Sequence, residues 1–214
     1  MRPQTAELSI VMRSIMMWSM ASSKSAKKTS SHVRIIGGKW KGRKLKFNPS
    51  ADLRPTLGRT RETLFNWLRG HLQDAHCVDL FAGSGALGFE ALSQGAAQVT
   101  FVEKHRRHVD QIRQHVADLG ASHLAHAACC DARKNLTDNP DRYQIAFVDP
   151  PFKQPELITP VLESLVRTQK EMMFVYLESN AADTALAAID AVPLSIHRQT
   201  RAGDALGYLL IPTV

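Results

Sequence analysis

The ten residues from Asp79 to Gly88, D-L-F-A-G-S-G-A-L-G, have the residue types that a nucleotide-binding turn requires. They follow a short apolar run typical of a buried strand, and they open a helical pattern. Gly83 and Gly85 would let the backbone approach a ligand, and Gly88 would permit tight packing of the helix on the strand. Because the three glycines match the G-x-G-x-x-G spacing, we expect a bound ligand here rather than an ordinary strand-to-helix turn.

The charge of Asp79 separates two kinds of cofactor. A nicotinamide cofactor would place its pyrophosphate at the start of the helix, where Asp79 would repel it. S-adenosylmethionine instead carries a sulfonium and an α-ammonium group. Opposite unit charges about 3.5 Å apart attract by roughly 5 kcal/mol at an effective dielectric near 20, before desolvation. The sequence therefore favours S-adenosylmethionine.

Acidic residues also end the next two predicted strands. Glu103 ends the second strand, where a carboxylate can accept hydrogen bonds from ribose hydroxyls. Asp131 ends the third, where it could accept from an adenine amino group, and Ala132 could offer its backbone N–H to the ring. Each acid alone could be a surface residue or a helix cap. The predicted cofactor-binding residues are Asp79, Phe81, Ala82, Gly83, Ser84, Gly85, Glu103, Asp131 and Ala132.

A second motif, Asp149-Pro150-Pro151-Phe152, follows another apolar run. Neither proline has an N–H, so neither can continue a sheet ladder. The carboxylate of Asp149 and the carbonyl of Pro150 could accept both hydrogens of one exocyclic amino group, while Phe152 stacks on its base. The motif therefore predicts that Asp149, Pro150 and Phe152 act on a nucleobase amine, although Asp-Pro is also common in plain turns.

Positive charge is concentrated near the front of the chain. Residues 24–69 contain 13 Lys/Arg and two acids, a net charge of +11, while the whole chain has +7. This separation favours a nucleic-acid partner over a merely solvated hairpin, with Trp40 as a stacking surface. The predicted nucleic-acid-binding residues are Arg34, Lys39, Trp40, Lys41, Arg43, Lys44, Arg54, Arg59 and Arg61, of which the last three would lie nearest the active site.

Strand-like and helix-like segments alternate from residue 76 onward, which predicts an α/β fold with helices on both faces of a mostly parallel sheet. Two final strands, 193–200 and 206–211, would form a hairpin that adds an antiparallel strand at one edge. Ahead of this sheet, Val33–Phe47 predicts a second hairpin. Thr60 would cap a helix from Arg61 to about Leu72.

Residues 1–31 are expected to be a disordered tail outside the fold. The apolar run Leu8–Met20 is interrupted by Arg13 and only weakly resembles a signal peptide. The Ser/Lys-rich stretch Ser22–Ser31 favours disorder. Translation from Met20 would remove the apolar run altogether.

The remaining reactive side chains suggest neither disulfides nor a metal. Three cysteines, two of them adjacent, favour a reducing cytosol, and no apolar stretch is long enough to span a membrane. Three histidines of one predicted helix lack partners at metal-ligand spacing and would form a solvated face. These residues are Cys77, Cys129, Cys130, His105, His108 and His115.

The cofactor turn, the acids and the Asp-Pro-Pro-Phe motif resemble those of class I S-adenosylmethionine-dependent methyltransferases. A closer resemblance is to the RsmD-type family of bacterial 16S ribosomal RNA guanine-N2 methyltransferases. It rests on R-I-I-G-G at 34–38, R-P-T at 54–56, R-x-R-E-T-L-F-N at 59–66 and D-L-F-A-G-S-G at 79–85. The likeness spans roughly residues 33–212, and residues 1–31 have no counterpart in it.

The resemblance implies a Rossmann-like class I methyltransferase fold with a seven-stranded sheet. It also implies three parts: a tail (1–31), a basic RNA-binding hairpin and helix (32–73) and a methyltransferase domain (74–214). The implied reaction is methylation of the N2 of a specific guanine in 16S rRNA, with S-adenosylmethionine as methyl donor. The implied partner is 16S rRNA or the small ribosomal subunit. We expect a cytoplasmic monomer that uses no metal and no membrane.

Three other functions stay open from the residues alone. A DNA adenine-N6 methyltransferase could use the same Asp-Pro-Pro-Phe motif, although this length leaves no room for a separate target-recognition domain. A nicotinamide-dependent oxidoreductase would use the glycine turn but has no need of Asp149-Pro150-Pro151-Phe152. A non-enzymatic RNA-binding protein of ribosome assembly could keep the fold without the chemistry.

Overall fold

The computed structural model describes residues 31–47 and 58–213 of the chain. Two strands form an N-terminal antiparallel hairpin, β1 (Ser31–Arg34) and β2 (Lys44–Phe47). The other described strands are β3 (His76–Asp79), β4 (Gln98–Val102), β5 (Ala125–Ala128), β6 (Ile145–Val148), β7 (Phe174–Ser179), β8 (Leu194–Ala202) and β9 (Ala205–Pro212). The described α-helices are α1 (Gly58–Trp67), α2 (Ala86–Ser93), α3 (Arg106–Asp118), α4 (Ala132–Asp138), α5 (Ile158–Thr168) and α6 (Ala182–Asp190).

Strands β3 to β9 form one sheet in the order β5-β4-β3-β6-β7-β9-β8. The first five strands of this order are parallel, and β9 is antiparallel to both β7 and β8. The predicted seven-stranded, mostly parallel α/β sheet with a terminal hairpin is confirmed. Since the strand order reverses between β3 and β6, the crevice above their carboxyl ends is where such folds bind ligands.

Alternation along the central strands divides the core between the two faces of the sheet. Phe147 and Tyr176 belong to one buried apolar cluster, whereas Val148 and Leu177 belong to the other. All four residues of β6 are buried, as expected for a central parallel strand covered by helices on both sides. Because the central strands are packed on both faces, the positions of the residues that follow them are fixed as well.

Two helices differ from the prediction. Helix α1 begins at Gly58, so Thr60 lies inside its first turns with 1% exposure and does not act as the predicted cap. Helix α4 was not predicted, because its seven residues include Asn, Thr and Asp and bury only a short apolar face around Leu136. Asp131 caps it by accepting a hydrogen bond from the backbone N–H of Arg133 at 2.9 Å.

The N-terminal hairpin packs on helix α2 through a buried acid. Glu90 is fully buried, and its two carboxylate oxygens accept from the backbone N–H groups of Ile36 (2.8 Å) and Gly37 (2.7 Å). The guanidinium of Arg61 lies 3.9 Å from the same carboxylate and donates to the carbonyl of Arg34 at 2.6 Å. One acid thus connects the hairpin, α1 and α2, and its charge is compensated by donors from all sides.

Ser93, at the end of α2, makes the second contact. Its hydroxyl accepts from the backbone N–H of Trp40 at 2.9 Å and donates to the carbonyl of Gly37 at 2.6 Å. Gly38 has a φ of +73°, and a Cβ there would lie 1.7 Å from the carbonyl oxygen of Ser93. Only glycine allows this approach. In residues 31–47 and 58–213, no helix is long and apolar enough to cross a membrane.

Candidate active site

A cavity of about 470 Å³ opens above the carboxyl ends of β3, β4, β5, β6 and β7. All but one of the predicted catalytic and cofactor-binding residues line it, although they come from four separate strand ends. Those in its wall are Asp79, Phe81, Ala82, Gly83, Ser84, Glu103, Asp131, Ala132, Asp149, Pro150 and Phe152. These residues meet because the carboxyl ends of parallel strands lie at one edge of the sheet.

Gly85 is the exception, since it lies outside the cavity wall. Its φ is +78°, and a Cβ there would lie 2.6 Å from the ring of Phe89. A Cβ on Gly88 would lie 2.3 Å from the ring of Phe101, as the predicted tight helix–strand packing requires. In this structure Gly85 shapes the turn and makes room for Phe89 rather than facing a ligand.

Asp79 is buried at the base of the cavity, with 2% exposure. Its Oδ2 accepts from the backbone N–H of Gly88 at 3.1 Å, while no described residue is within hydrogen-bonding geometry of Oδ1. Burial raises the pKa of Asp79 to about 7; the charge of Glu103 adds to the rise, and the amides of Gly88 and Phe81 oppose it. A buried carboxylate oxygen without a partner, in the wall of a cavity, is suited to a cationic ligand.

Glu103 closes the glycine turn against β4. One carboxylate oxygen accepts from the backbone N–H of Gly83 at 3.0 Å, and the other from that of His105 at 2.8 Å. Burial would raise its pKa, but the nearby side chain of His108 and the hydrogen bonds from these two amides outweigh burial and hold the pKa below its usual range. The carboxylate stays ionised, and each oxygen keeps lone-pair capacity for a ligand hydroxyl.

Asp131 is a helix cap that also faces the cavity. It caps helix α4 with one oxygen, and it also lines the cavity. Ala132 follows it in the wall and is buried. Since a carboxylate has about four acceptor sites, capping leaves room for a ligand donor.

The Asp149-Pro150-Pro151-Phe152 turn forms the wall opposite Asp131, at the end of β6. The backbone N–H of Gln154 donates to the carbonyl of Pro151 at 2.8 Å, which closes the turn. Lys104, which follows the end of β4, donates to the side-chain oxygen of Gln154 at 3.4 Å. The turn is thus anchored to the far side of the cavity, and the carboxylate of Asp149 faces the same space as Asp79.

The cavity wall also contains residues that the sequence analysis did not select. They are Leu80, Ala86, Leu87, Val102, Lys104, His105, His108, Cys130, Pro151, Lys153, Gln154, Glu156, Leu157 and Glu178. Glu178 sits at the end of a predicted strand, so the reasoning that selected Glu103 could have found it.

The prediction that the histidines of this helix face solvent is wrong for His108. Its side chain is buried, with Nδ1 3.8 Å from Glu103 Oε2. His105 is exposed as expected, whereas Nε2 of His115 donates to the carbonyl of Lys46 at 2.7 Å. Within the described ranges, no group of His, Cys, Asp and Glu could hold a metal ion.

Two predicted nucleic-acid contacts are corrected. Trp40 is only 8% exposed and belongs to the apolar core beneath the hairpin, so it offers no stacking surface. Arg61 is 4% exposed and is used by Glu90 and the Arg34 carbonyl. Arg54 lies outside the described residues. The remaining candidates are exposed: Arg34, Lys39, Lys41, Arg43, Lys44 and Arg59.

Comparison with solved structures identifies the class. A structure from Escherichia coli described as a methyltransferase, yhhF, aligns with a TM-score of 0.73 and 38% identity over 86% of this chain and 99% of that one. A Haemophilus influenzae protein described as a methylase aligns with a TM-score of 0.68 and 28% identity over 86% of this chain and all of the other. The protein is a methyltransferase with a Rossmann-like fold.

Sequence comparison narrows the class to a family. The family model "Conserved hypothetical protein 95" matches residues 33–210. Ribosomal RNA small subunit methyltransferase D of Escherichia coli is 42% identical over 179 residues, which cover 82% of this chain and 87% of that protein. The chain belongs to this family, the RsmD-type methyltransferases.

Proposed function

We propose that the protein methylates the exocyclic N2 of a specific guanine in 16S rRNA, using S-adenosylmethionine as methyl donor. The observation that carries the proposal is the meeting of Asp79 and the Asp149-Pro150-Pro151-Phe152 turn in one cavity. The first suits a cationic donor, and the second suits a nucleobase amine. The name of the 42% identical relative, a small subunit rRNA methyltransferase, supports the choice of RNA.

The residues of the cavity fit S-adenosylmethionine. Asp79, with its partnerless Oδ1, would attract the positive charge of the methionine part. Glu103 would accept from the ribose hydroxyls, and Asp131 with Ala132 would bind the adenine. When bound, S-adenosylmethionine supplies a methyl group on a sulfonium sulfur, so that the S–C bond breaks as the N–C bond forms.

Asp149, Pro150 and Phe152 would prepare the acceptor. The lone pair of an aromatic amine is delocalised into its ring, which makes the amine a poor nucleophile. Accepting its two hydrogens at the Asp149 carboxylate and the Pro150 carbonyl favours a pyramidal nitrogen whose lone pair points at the methyl group. Phe152 would hold the plane of a base turned out of its stack. Alignment then supplies most of the catalysis, and the nitrogen releases its proton easily once it has been methylated.

The exposed basic side chains of the hairpin would bind the RNA phosphates. Lys41, Arg43 and Lys44 lie together on the loop and second strand of the hairpin, all of them exposed. The hairpin is held to α2, whose amino end begins at the cofactor turn. Because the hairpin contacts α2 at Glu90 and Ser93, toward the carboxyl end of that helix, phosphate contacts there would hold the RNA strand outside the cavity. We expect a monomer acting in the cytoplasm, on 16S rRNA or the small ribosomal subunit.

Transfer of labelled methyl groups tests the proposal. The purified protein and labelled S-adenosylmethionine are incubated with small ribosomal subunits and with total RNA from cells that lack the protein, and the products are digested to nucleosides. We expect label in N2-methylguanosine. Label in N6-methyladenosine alone would point to the adenine-directed alternative. Loss of transfer in Asp149→Ala with RNA binding retained would exclude a role as a non-enzymatic binder.

A further inference from the structure

Glu178 is a buried carboxylate in the cavity wall that the proposed mechanism does not use. It lies near the carboxyl end of β7 with 4% exposure, and it faces the same cavity as Asp79 and Asp149. Burying a carboxylate is costly unless it is hydrogen-bonded. A purely structural role at this position could be filled by an apolar residue, whereas a carboxylate in the cavity wall can accept a hydrogen bond from a ligand.

The surroundings of Glu178 hold it in one orientation. The hydroxyl of Tyr176 donates to Glu178 Oε2 at 2.8 Å. Glu178 is paired across the sheet with Gly207 of β9, and a Cβ on Gly207 would lie 2.7 Å from the Tyr176 hydroxyl. Glycine at 207 therefore provides the space that the Tyr176–Glu178 pair occupies.

Strand register places Glu178 beside Asp149. Val148 pairs with Leu177 in the parallel ladder, so the next residues, Asp149 and Glu178, follow side by side on strands about 4.8 Å apart. Burial, and then the charges of Glu178 and Asp149, raise the pKa of Tyr176 well above its usual range. Glu178 thus contacts the tyrosine hydroxyl, and Asp149 follows the paired position on β6, so the two carboxylates can face one edge of a bound base.

We propose that Glu178 is a specificity residue that accepts a hydrogen bond from N1–H of the target guanine. This inference rests on the proposed function. The Watson–Crick edge of guanine presents N1–H beside the N2 amine, so adjacent carboxylates at 149 and 178 match two adjacent donors. Adenine presents a lone pair at N1, and Glu178 would repel it. The same reaction centre then rejects adenine although its Asp-Pro-Pro-Phe turn could hold an adenine amine.

A base analogue separates recognition of N1 from methylation of N2. The 2-aminopurine base carries the same acceptor amine but has a lone pair at N1. Small subunits are reconstituted with guanine or 2-aminopurine at the mapped target position, and kcat/KM is measured for wild type and Glu178→Gln. We expect wild type to prefer guanine strongly. Because the glutamine amide can donate to N1 of 2-aminopurine, Glu178→Gln should reduce this preference by about tenfold or more.

Two further variants separate specificity from folding. Glu171→Gln removes the same charge just before β7 and should leave the preference unchanged, because Glu171 is exposed. Tyr176→Phe keeps the carboxylate but removes its hydrogen bond, and should lower the preference by a smaller factor. Binding of S-adenosylmethionine, measured by calorimetry, should be unaltered in all three.

The outcomes distinguish this inference from the proposed function. An unchanged base preference in both Glu178→Gln and Tyr176→Phe, with S-adenosylmethionine binding intact, would overturn the role of Glu178. So would an equal loss of activity on both bases, since that would indicate help at N2 or a structural role. If wild type forms no N2-methylguanosine at all, the proposed function itself fails.

Discussion

Two carboxylates in one cavity are held in different states by their surroundings. Asp79 is buried with a single strong donor, and its pKa rises to about 7. Glu103 accepts from two backbone amides, and its pKa falls below the usual range. Burial dominates at Asp79, whereas at Glu103 the neighbouring His108 and the amide hydrogen bonds outweigh burial. Near neutral pH, Glu103 is therefore charged, while Asp79 is poised to gain its charge when a cation binds.

The raised pKa of Asp79 predicts pH-dependent cofactor binding. A cation binds the ionised carboxylate more tightly, so the affinity for S-adenosylmethionine should rise through a pH near 7 and level off above it. Calorimetric titrations from about pH 6 to about pH 8 would measure this rise. Asp79→Asn should bind weakly and without this dependence. A flat profile in wild type would contradict the role of Asp79.

The same shift predicts a stability gain on removing the charge. Since the folded pKa of about 7 lies above the ordinary value of 3.8, the unfolded chain loses this proton first as pH rises. Stability is therefore lost across that interval, and the loss is complete above pH 7. Asp79→Asn should make the ligand-free protein about 1–3 kcal/mol more stable at about pH 8, with little gain near pH 4. Urea unfolding at both pH values would measure it.

Asp149→Asn should separate binding from chemistry. The amide keeps one acceptor oxygen but loses the negative charge that holds the amine hydrogens, so kcat should fall by about a hundredfold or more. Affinity for S-adenosylmethionine should change little, because Asp79, Glu103 and Asp131 are untouched. Single-turnover rates and calorimetry would measure the two quantities. A parallel loss of both would indicate that Asp149 holds the cofactor.

At the scale of elements, the interface between the N-terminal hairpin and α2 depends on backbone contact. Polar groups of α2, Glu90 and Ser93, satisfy the N–H groups of the hairpin turn. Gly38 brings its backbone against the Ser93 carbonyl. The R-I-I-G-G stretch, on which the family resemblance partly rests, therefore fixes the hairpin against α2.

Two glycines of the hairpin test this contact. Gly38→Ala and Gly42→Ala each place a side chain at positive φ, +73° and +86°, but only Gly38 meets another atom. Gly42→Ala should cost about 1 kcal/mol from backbone strain alone. Gly38→Ala should cost about 2–3 kcal/mol more, since the hairpin must move off α2. Denaturant unfolding would measure both, and equal costs would show that the contact is unimportant.

At the scale of the whole molecule, positive charge is concentrated in the front of the chain and negative charge in the rest. Residues 24–69 have a net charge of +11, and residues 70–214 have 12 basic and 17 acidic residues. The acidic residues at the strand ends would attract a cationic cofactor, whereas the exposed Lys and Arg side chains of the hairpin would attract phosphates. A polyanion would therefore bind with its backbone along the hairpin and only its target base in the cavity.

The salt dependence of RNA binding tests whether the hairpin binds the RNA phosphates. Replacing Lys41, Arg43 and Lys44 by Ala should weaken RNA binding and lower the slope of log affinity against log salt by about 2. The matched control replaces Arg142, Arg167 and Lys170, exposed residues near the amino ends of β6 and β7, and should leave the slope unchanged. Fluorescence titrations at several salt concentrations would measure it. Equal slopes for both triple variants would refute an RNA surface on the hairpin.

Local sequence patterns established the class of fold and the acidic and glycine-turn residues of the cavity wall. Strand ends can be located from local patterns, and the topology of a parallel sheet brings their following residues to one edge. Asp79, Glu103 and Asp149 could therefore be selected from separate segments of the chain. Glu178 obeys the same rule, and only its lack of a recognisable motif hid it.

Tertiary structure alone decided which charged and aromatic residues stay exposed. Arg61 and Trp40 are residue types that often bind RNA. In this fold, however, Arg61 donates to a carbonyl 27 residues away and Trp40 lies in the core. The acidic Glu90 lies in an otherwise apolar helix because it accepts hydrogen bonds from the backbone of the hairpin that covers it. Burial depends on which distant segment covers a residue, and local sequence patterns do not contain that information.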